Sequence, residues 1–352
     1  MRIAFISTFK EIGGVSTATR ELSREFRKRN HQVTIFPLVD MPSLLALGYY
    51  TAKVGKGFDV VHIQGIKSIP PVISGLLASR ILAGCCVCTA HGFTPPYWYP
   101  SKTKRQLMKF TLGHYDALIS VSNFVGRRLS NFLGKDAPRH FTVYNGVDAN
   151  FFSPSIDQRA LKQKMGLMNK KVILYVGRLA PKKGVHHLLG AFSILSERLP
   201  GLFLVVCGRG EMEGELRSLA QKLALNSKVT FAGVVPQNDL PLYYSIADVV
   251  AVPSVYEPMG IVPLEAMSVG RPVVASRTGG LPELIEDMKT GLLTPPGDVP
   301  ALAEALRSLC EDDELAESLG NRGRQAVLEK FTWSRSASAT LSAYEAALRH
   351  AS

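Results

Sequence analysis

The chain is poor in cysteine and tryptophan, with five and two among 352 residues. The cysteines are odd in number and lie in apolar, strand-like runs. A disulfide framework is therefore not expected; buried thiols in a reducing compartment are. Long hydrophobic runs are also lacking. The longest candidate, Ile69–Ala90, is interrupted by Arg80 and Gly84. It reads as a helix (Val72–Leu82) followed by a strand (Cys85–Ala90), not as a membrane span. The opening Met1-Arg-Ile-Ala-Phe-Ile-Ser7 is too short an apolar run for a signal peptide and has no small-residue cleavage site. A cytoplasmic protein is expected, with no metal, because no Asp-x-Asp pair closes a predicted strand. There is no short-period repeat and no low-complexity tract. No helix-turn-helix, zinc or RNA-binding motif is visible, so nucleic acid is not an expected partner.

Acidic residues are scarce in one half only. Residues 1–150 hold 19 Lys+Arg against 8 Asp+Glu, whereas the rest of the chain holds 22 against 21. This asymmetry predicts an anionic partner for the first half, such as a membrane surface or a phosphorylated substrate. Residues 97–109 mix Tyr97, Trp98 and Tyr99 with Lys102, Lys104, Arg105 and Lys109. That composition suits a membrane interface, and equally a solvated loop.

What is present is a long series of short apolar strands alternating with helical periods. The length suits two domains. In the first half, Arg2–Ser7, Gln32–Pro37, Asp59–Ile63, Cys85–Ala90, Ala117–Val121 and Phe141–Tyr144 read as parallel-sheet strands. Gly13-Gly14 follows the first and lets a backbone approach a ligand or simply makes a tight turn. His91 and Ser122 stand at later strand ends. The second half restarts at Lys171–Val176, with Leu202–Cys207, Val229–Ala232, Asp248–Val252 and Pro272–Ser276 following. One helix is expected over Ala301–Lys330 and a last one from Trp333.

Two clusters carry chemistry. Gly177-Arg178-Leu-Ala-Pro-Lys182-Lys183-Gly184 lies between a strand and a helix, where Arg178 and Lys183 could hold a diphosphate, one as a planar fork and the other as a point charge. Glu257-Pro-Met-Gly-Ile-Val-Pro-Leu-Glu265 follows a buried strand. It places Glu257 on a loop and Glu265 in the first turn of a helix opened by Pro263. Carboxylates there accept hydrogen bonds from sugar and ribose hydroxyls, while the amides of Met259, Gly260, Ile261 and Val262 can meet oxygens. Taken singly, Glu257 also reads as a solvated charge and Glu265 as a carboxylate steadying a helix dipole. Gly208-Arg209-Gly210 is not a dinucleotide fingerprint, because the third glycine comes one place late.

The Glu-x7-Glu stretch, with Gly177-Arg-x4-Lys-Gly, His91-Gly, Asn145-Gly-Val-Asp and Thr290-Gly-Leu-Leu, resembles retaining GT-B-fold glycosyltransferases, specifically glycosyltransferase family four (group one). The resemblance implies an α/β GT-B fold of two Rossmann-like domains with parallel sheets facing across a cleft. The expected limits are residues 1–150 for the acceptor, 151–332 for the donor, and a helix over 333–352 returning to the first domain. It implies a nucleotide-sugar donor, UDP-linked by default, and transfer with retention to a hydroxyl acceptor, lipid-linked or of the cell envelope. By the same resemblance His91, Arg178, Lys183 and Glu257 form the catalytic set. Gly14, Arg209, Met259–Val262 and Glu265 then contact the donor, with Glu265 on the ribose. A sugar-nucleotide epimerase of the same fold and a non-catalytic sugar-nucleotide binder are the alternatives.

Overall fold

The structure is a computed structural model and describes residues 1–7, 13–37, 57–66, 72–73, 76, 83–94 and 101–351. The chain divides into two compact units, Met1–Gly146 with Trp333–Ser352, and Val147–Thr332.

The first unit is built on six parallel strands: β1 (Arg2–Ser7), β2 (Gln32–Pro37), β3 (Phe58–Gln64), β4 (Ala83–Ala90), β5 (Ala117–Ser120) and β6 (Arg139–Thr142), in the order β2-β1-β3-β4-β5-β6. Runs such as Ile3–Ser7 are buried throughout, as strands covered on both faces require. Helix α1 (Gly14–Lys28) lays Ala18, Leu22 and Phe26 on this sheet. It starts at Gly14, directly after Gly13. The next described helices are α2 (Lys102–Gly113) and α3 (Asn123–Leu133).

Strand β6 lies two residues earlier than its apolar content suggested, because its register is set by pairing Ala117 with Arg139 and Ser120 with Thr142. The expected helix over Val72–Leu82 lies mostly outside the described residues. Cys85 and Cys88 have the Cys-x-x-Cys spacing, but an extended strand sends them to opposite faces, so the spacing builds no chelate. All five cysteines are buried thiols outside any disulfide, and burial pushes the Cys85, Cys207 and Cys310 thiols up to about 12.

The last helix closes this unit. It spans Trp333–Ala351, and its Trp333, Ala337, Ala343, Tyr344 and Ala347 join the core of β1, β3, β4 and β5. Tyr344 Oη shares a 2.6 Å hydrogen bond with His62 Nδ1, whose Nε2 meets Thr89 Oγ1 at 2.6 Å. Burial holds His62 down at about 3, so the imidazole is neutral and both ring nitrogens are satisfied.

The second unit also has six parallel strands, β7 (Lys171–Val176), β8 (Leu202–Cys207), β9 (Val229–Gly233), β10 (Val249–Val252), β11 (Val273–Ser276) and β12 (Leu292–Thr294), in the order β12-β11-β10-β7-β8-β9. The three-residue β12 is too short to show a period and went unread in the sequence. Its helices α4 to α11 are Arg159–Lys164, Val185–Arg198, Glu213–Lys222, Leu240–Ile246, Val262–Ser268, Leu281–Leu284, Val299–Glu311 and Asp313–Lys330; Trp333–Ala351 is α12. The single helix expected over Ala301–Lys330 is two. The chain breaks at Asp312, whose Oδ1 accepts from the Leu315 amide at 2.9 Å and caps the second. Within the acidic run Glu311–Glu314, Asp312 thus serves as a cap.

Chain order reverses at β7, which has β8 on one side and β10 on the other. Ligands of open parallel sheets bind outside the carboxyl ends of the strands at such a point. The loops that follow β7 and β10 are those that carry Arg178, Lys183 and Glu257.

Candidate functional site

The β7 loop and the β10 loop are joined by backbone, side chain and packing. The carbonyl of Lys182 accepts from the amides of Val255 at 2.8 Å and Tyr256 at 3.3 Å. Gly184 is left-handed, with φ +68°, and a Cβ there would stand 2.0 Å from the Pro253 carbonyl oxygen. Glycine therefore lets the two loops touch, and it opens α5. Above this seam Lys183 Nζ donates to Glu257 Oε2 at 2.5 Å, and Ser254 Oγ donates to the same oxygen at 3.3 Å. Glu257 is only 8% exposed. Such a pair is costly to break from one side, because the remaining charge is left poorly solvated.

The β11 loop adds a third support. The Gly280 amide donates to the Glu257 carbonyl at 3.0 Å, and Thr278 Oγ1 donates to the Val255 carbonyl at 3.1 Å. Gly279 has φ +61°, and a Cβ on it would fall 1.8 Å from the Glu257 carbonyl oxygen. Gly279→Ala is therefore expected to destabilise the protein by roughly 2–4 kcal/mol in urea unfolding. Gly201→Ala, with nothing within 4 Å of the added carbon, should shift stability by about 0.5 kcal/mol or less. Equal effects of the two would show that the loop seam is not under this constraint.

Arg178 is exposed on the β7 loop, and its guanidinium has no partner among the described residues. Its carbonyl accepts from Tyr175 Oη at 2.9 Å. Burial raises the Tyr175 phenol, the Glu257 charge adds to that, and Arg178 opposes it. Tyr175 thus feels both the acid and the guanidinium, which puts Arg178, Lys183 and Glu257 in one neighbourhood. Arg209 is exposed on the β8 loop, which is tied to the β7 loop by a 2.9 Å bond from the Leu179 amide to the Arg209 carbonyl.

Glu265 lies in the first turn of α8. Ile261 precedes the helix as its cap residue, Gly260 is left-handed with φ +92°, and Met259 is buried. Glu265 is 8% exposed, and Oε2 accepts from Tyr244 Oη at 2.6 Å. Burial pushes the Glu265 carboxyl up to about 7, against the pull of that hydrogen bond. In α8, seven residues long, Glu265 is a buried, hydrogen-bonded acid and not a solvated dipole charge.

His91 and Gly14 belong to the first unit. His91 follows β4, and its Nε2–H donates to Gln64 Oε1 at 2.5 Å. Burial pushes His91 down to about 4, so at neutral pH it is an uncharged ring with Nδ1 as acceptor. The Gln64 Nε2 is buried without a partner among the described residues. Gly14 is the first residue of α1, and the preceding residues 8–12 lie outside the described ones. Ser122 is the buried N-cap of α3, accepting from Val125 at 3.2 Å. Arg178, Lys183, Arg209, Glu257, Met259–Val262 and Glu265 all lie in the second unit. Tyr175, Tyr244 and Ser254 were missed as site residues. Nothing in their spacing separates them from core aromatics and loop serines.

Known proteins resemble this chain in sequence and in fold. Residues 157–326 match the family model of the glycosyl transferases group 1, and residues 43–151 match that of glycosyltransferase family 4. The GDP-mannose-dependent alpha-(1-6)-phosphatidylinositol monomannoside mannosyltransferase of Mycolicibacterium smegmatis is 32% identical over 283 residues, 78% of this chain and 74% of that protein. Sucrose-phosphate synthase from Thermosynechococcus elongatus is similar in structure, with a TM-score of 0.83, 26% identity and full coverage of both chains. The Anabaena protein HepE, solved with UDP and glucose, has a TM-score of 0.81 at 23% identity, covering 97% of this chain and 99% of its own, and shares the fold. The chain belongs to the group 1 glycosyltransferases of family 4, with two parallel-sheet units of the GT-B class.

Proposed function

We propose that this protein transfers a sugar from a nucleotide diphosphate sugar to a hydroxyl acceptor, with retention at the anomeric carbon. The observation that carries this is the Lys183–Glu257 pair across the β7–β10 switch point, beside the exposed guanidinium of Arg178, which has no partner among the described residues. Arg178 and Lys183 bind the diphosphate, Glu257 accepts from a sugar hydroxyl, Glu265 accepts from the ribose, and Arg209 lies toward the base. Gly14 and His91 come from the unit assigned to the acceptor. The bond from the anomeric carbon to the diphosphate oxygen breaks, and the oxygen keeps the electron pair. The two cations stabilise the charge that develops on it. The acceptor oxygen bonds to the same face of the carbon, and its proton passes to a donor phosphate oxygen. No resident metal has a part in this scheme.

A panel of UDP- and GDP-linked sugars tests the donor class. A cognate donor at 100 times its Kd should add about 2.7 kcal/mol of stability. No stabilisation by any nucleotide sugar would overturn the reading. Incubation with the cognate donor alone separates transfer from epimerisation: isomerised sugar without acceptor would favour the epimerase. The relative named for GDP-mannose makes GDP-linked sugars as necessary in the panel as the UDP-linked ones.

We place the acceptor at an anionic membrane, with the protein peripheral on its cytoplasmic face. The stretch 97–109 raised this expectation; residues 97–100 lie outside the described ones, and the rest enters α2. Leu107 and Phe110, 42% and 66% exposed, are the large exposed hydrophobics of the first unit among the described residues, and they lie one turn apart on α2. Lys102, Lys104 and Lys109 are exposed on the same helix. Residues 101–135 hold seven Lys+Arg and one acid, Asp116, which is turned inward to the Cys86 amide. No helix among the described residues is long and apolar enough to cross a membrane. Each cation at an anionic surface contributes about 1 kcal/mol, and the two apolar side chains supply insertion.

The full chain should co-sediment with phosphatidylglycerol-containing vesicles in a salt-sensitive way. Leu107→Ser with Phe110→Ser should weaken that binding about tenfold or more. Equal binding to neutral vesicles, or none to either, would contradict it.

A further inference from the structure

Glu265 is an acid in a place that disfavours its charge. Its helix α8 packs on β10, β11, α7 and α11. Among the charged groups of that shell, Arg324 of α11 donates to the Ser268 carbonyl at the far end of α8, and Arg271 donates to the Ser245 carbonyl of α7 at 2.6 Å. Neither acts on the Glu265 carboxyl. Tyr244 of α7 does, through the 2.6 Å bond to Oε2. Tyr244 is wholly buried, and its ring rests edge-on against Phe152 with centroids 5.8 Å apart. The Phe152 carbonyl is held in turn by Ser268 Oγ at 2.8 Å. Burial and the neighbouring acid push the Tyr244 phenol well above its ordinary range, so it stays protonated and donates. Only Oε2 of Glu265 is occupied among the described residues.

We propose that Tyr244 is a positioning residue for the nucleotide ribose: by donating to Oε2 it fixes the Glu265 carboxylate and leaves Oε1 to accept from the ribose diol. This rests on the ribose role given to Glu265 above. Tyr244 itself touches no substrate atom; it acts through the carboxylate. Without its hydroxyl the carboxylate loses a charge-assisted donor and is free to turn, and the protonated acid becomes the easier state to bury.

The test is calorimetry on the full chain at pH 7 and pH 9, with UDP and GDP and with their 2′,3′-dideoxy analogues. It compares wild type, Tyr244→Phe and Glu265→Gln. For whichever diphosphate binds, Tyr244→Phe should weaken binding about tenfold at pH 7, the scale of one hydrogen bond to a charged group. The deficit should narrow at pH 9, where the carboxylate is ionised in both proteins. The dideoxy analogue should lose less than about twofold, because it has no diol for Glu265 to hold. It also cancels the titration of the nucleotide's own phosphates. Equal losses for the two ligands would make Tyr244 a packing residue and overturn the inference, and so would no loss for either. If Glu265→Gln leaves diphosphate binding unchanged, the ribose role of Glu265 fails first. If neither diphosphate binds wild type, the donor site fails as a whole, and the inference with it.

Discussion

Arg178→Ala is expected to lower kcat by roughly 10²-fold or more while leaving stability unchanged. The guanidinium is exposed and partnerless among the described residues, so removing it breaks no native contact there. It is aimed at charge that arises only when the diphosphate leaves, and its loss belongs to the transition state. Lys183→Ala should cost as much in kcat, and for a second reason it should also cost stability. Its Nζ is the 2.5 Å partner of Glu257, and deleting it leaves a mostly buried carboxylate without its counter-charge. A loss of roughly 1–3 kcal/mol in urea unfolding is expected, below the full cost of breaking a buried pair because the lysine is partly solvated. The contrast is the informative part. Steady-state kinetics and unfolding on both variants should show one protein that is inactive and stable and another that is inactive and weakened. Wild-type turnover in both would refute the diphosphate assignment. Equal stability losses would show that Arg178 is a structural residue.

Glu265→Gln should have the opposite signature, a more stable protein that binds donor poorly. Burial raises the Glu265 carboxyl to about 7 from an ordinary 4.5. Between those values the folded protein holds a proton that the unfolded chain has released, so folding stability falls as pH rises through that window. Glutamine keeps an oxygen for the Tyr244 hydroxyl and carries no charge to bury. Below about pH 4.5 the variant and wild type should match. Above pH 7 the variant should be more stable by roughly 3–4 kcal/mol, the free-energy equivalent of the shift. Thermal unfolding from pH 4 to pH 8.5 reads this directly. A variant that is less stable at pH 8 would show that a counter-charge, and not burial, sets the carboxylate's state. Proteins keep an acid at such a cost where function requires it. The same variant should therefore lose donor affinity by about tenfold or more, the scale of a charged hydrogen bond to the ribose.

Much of the fold was legible because parallel strands buried on both faces announce themselves as unbroken apolar runs. Arg2–Ser7, Lys171–Val176 and Leu202–Cys207 fall where they were expected. The misses have local causes. Leu292–Thr294 is too short to show a period. Asp312 interrupts a helical pattern by capping the next helix, which an acidic run does not reveal. Strand β6 is placed by its ladder to β5, not by its own composition. In the site, Arg178, Lys183, Glu257 and Glu265 were legible as chemistry because charges recur at turns between strands and helices. What was illegible is who holds whom. That Lys183 pairs with Glu257 depends on β10 lying beside β7, though 72 residues separate the two strands' ends in the chain (Val176 and Val249). Tyr244 reads as one more core aromatic until α7 is seen against α8.

The central claim is that the loops after β7 and β10 together hold the diphosphate of the donor. A crystal structure of the full chain with its bound nucleotide diphosphate tests it most directly. The account predicts diphosphate oxygens within hydrogen-bonding distance of Lys183 Nζ and the Arg178 guanidinium, with the ribose diol on Glu265. A nucleotide bound away from residues 177–184, with the Lys183–Glu257 pair untouched and Arg178 still exposed to solvent, would contradict it.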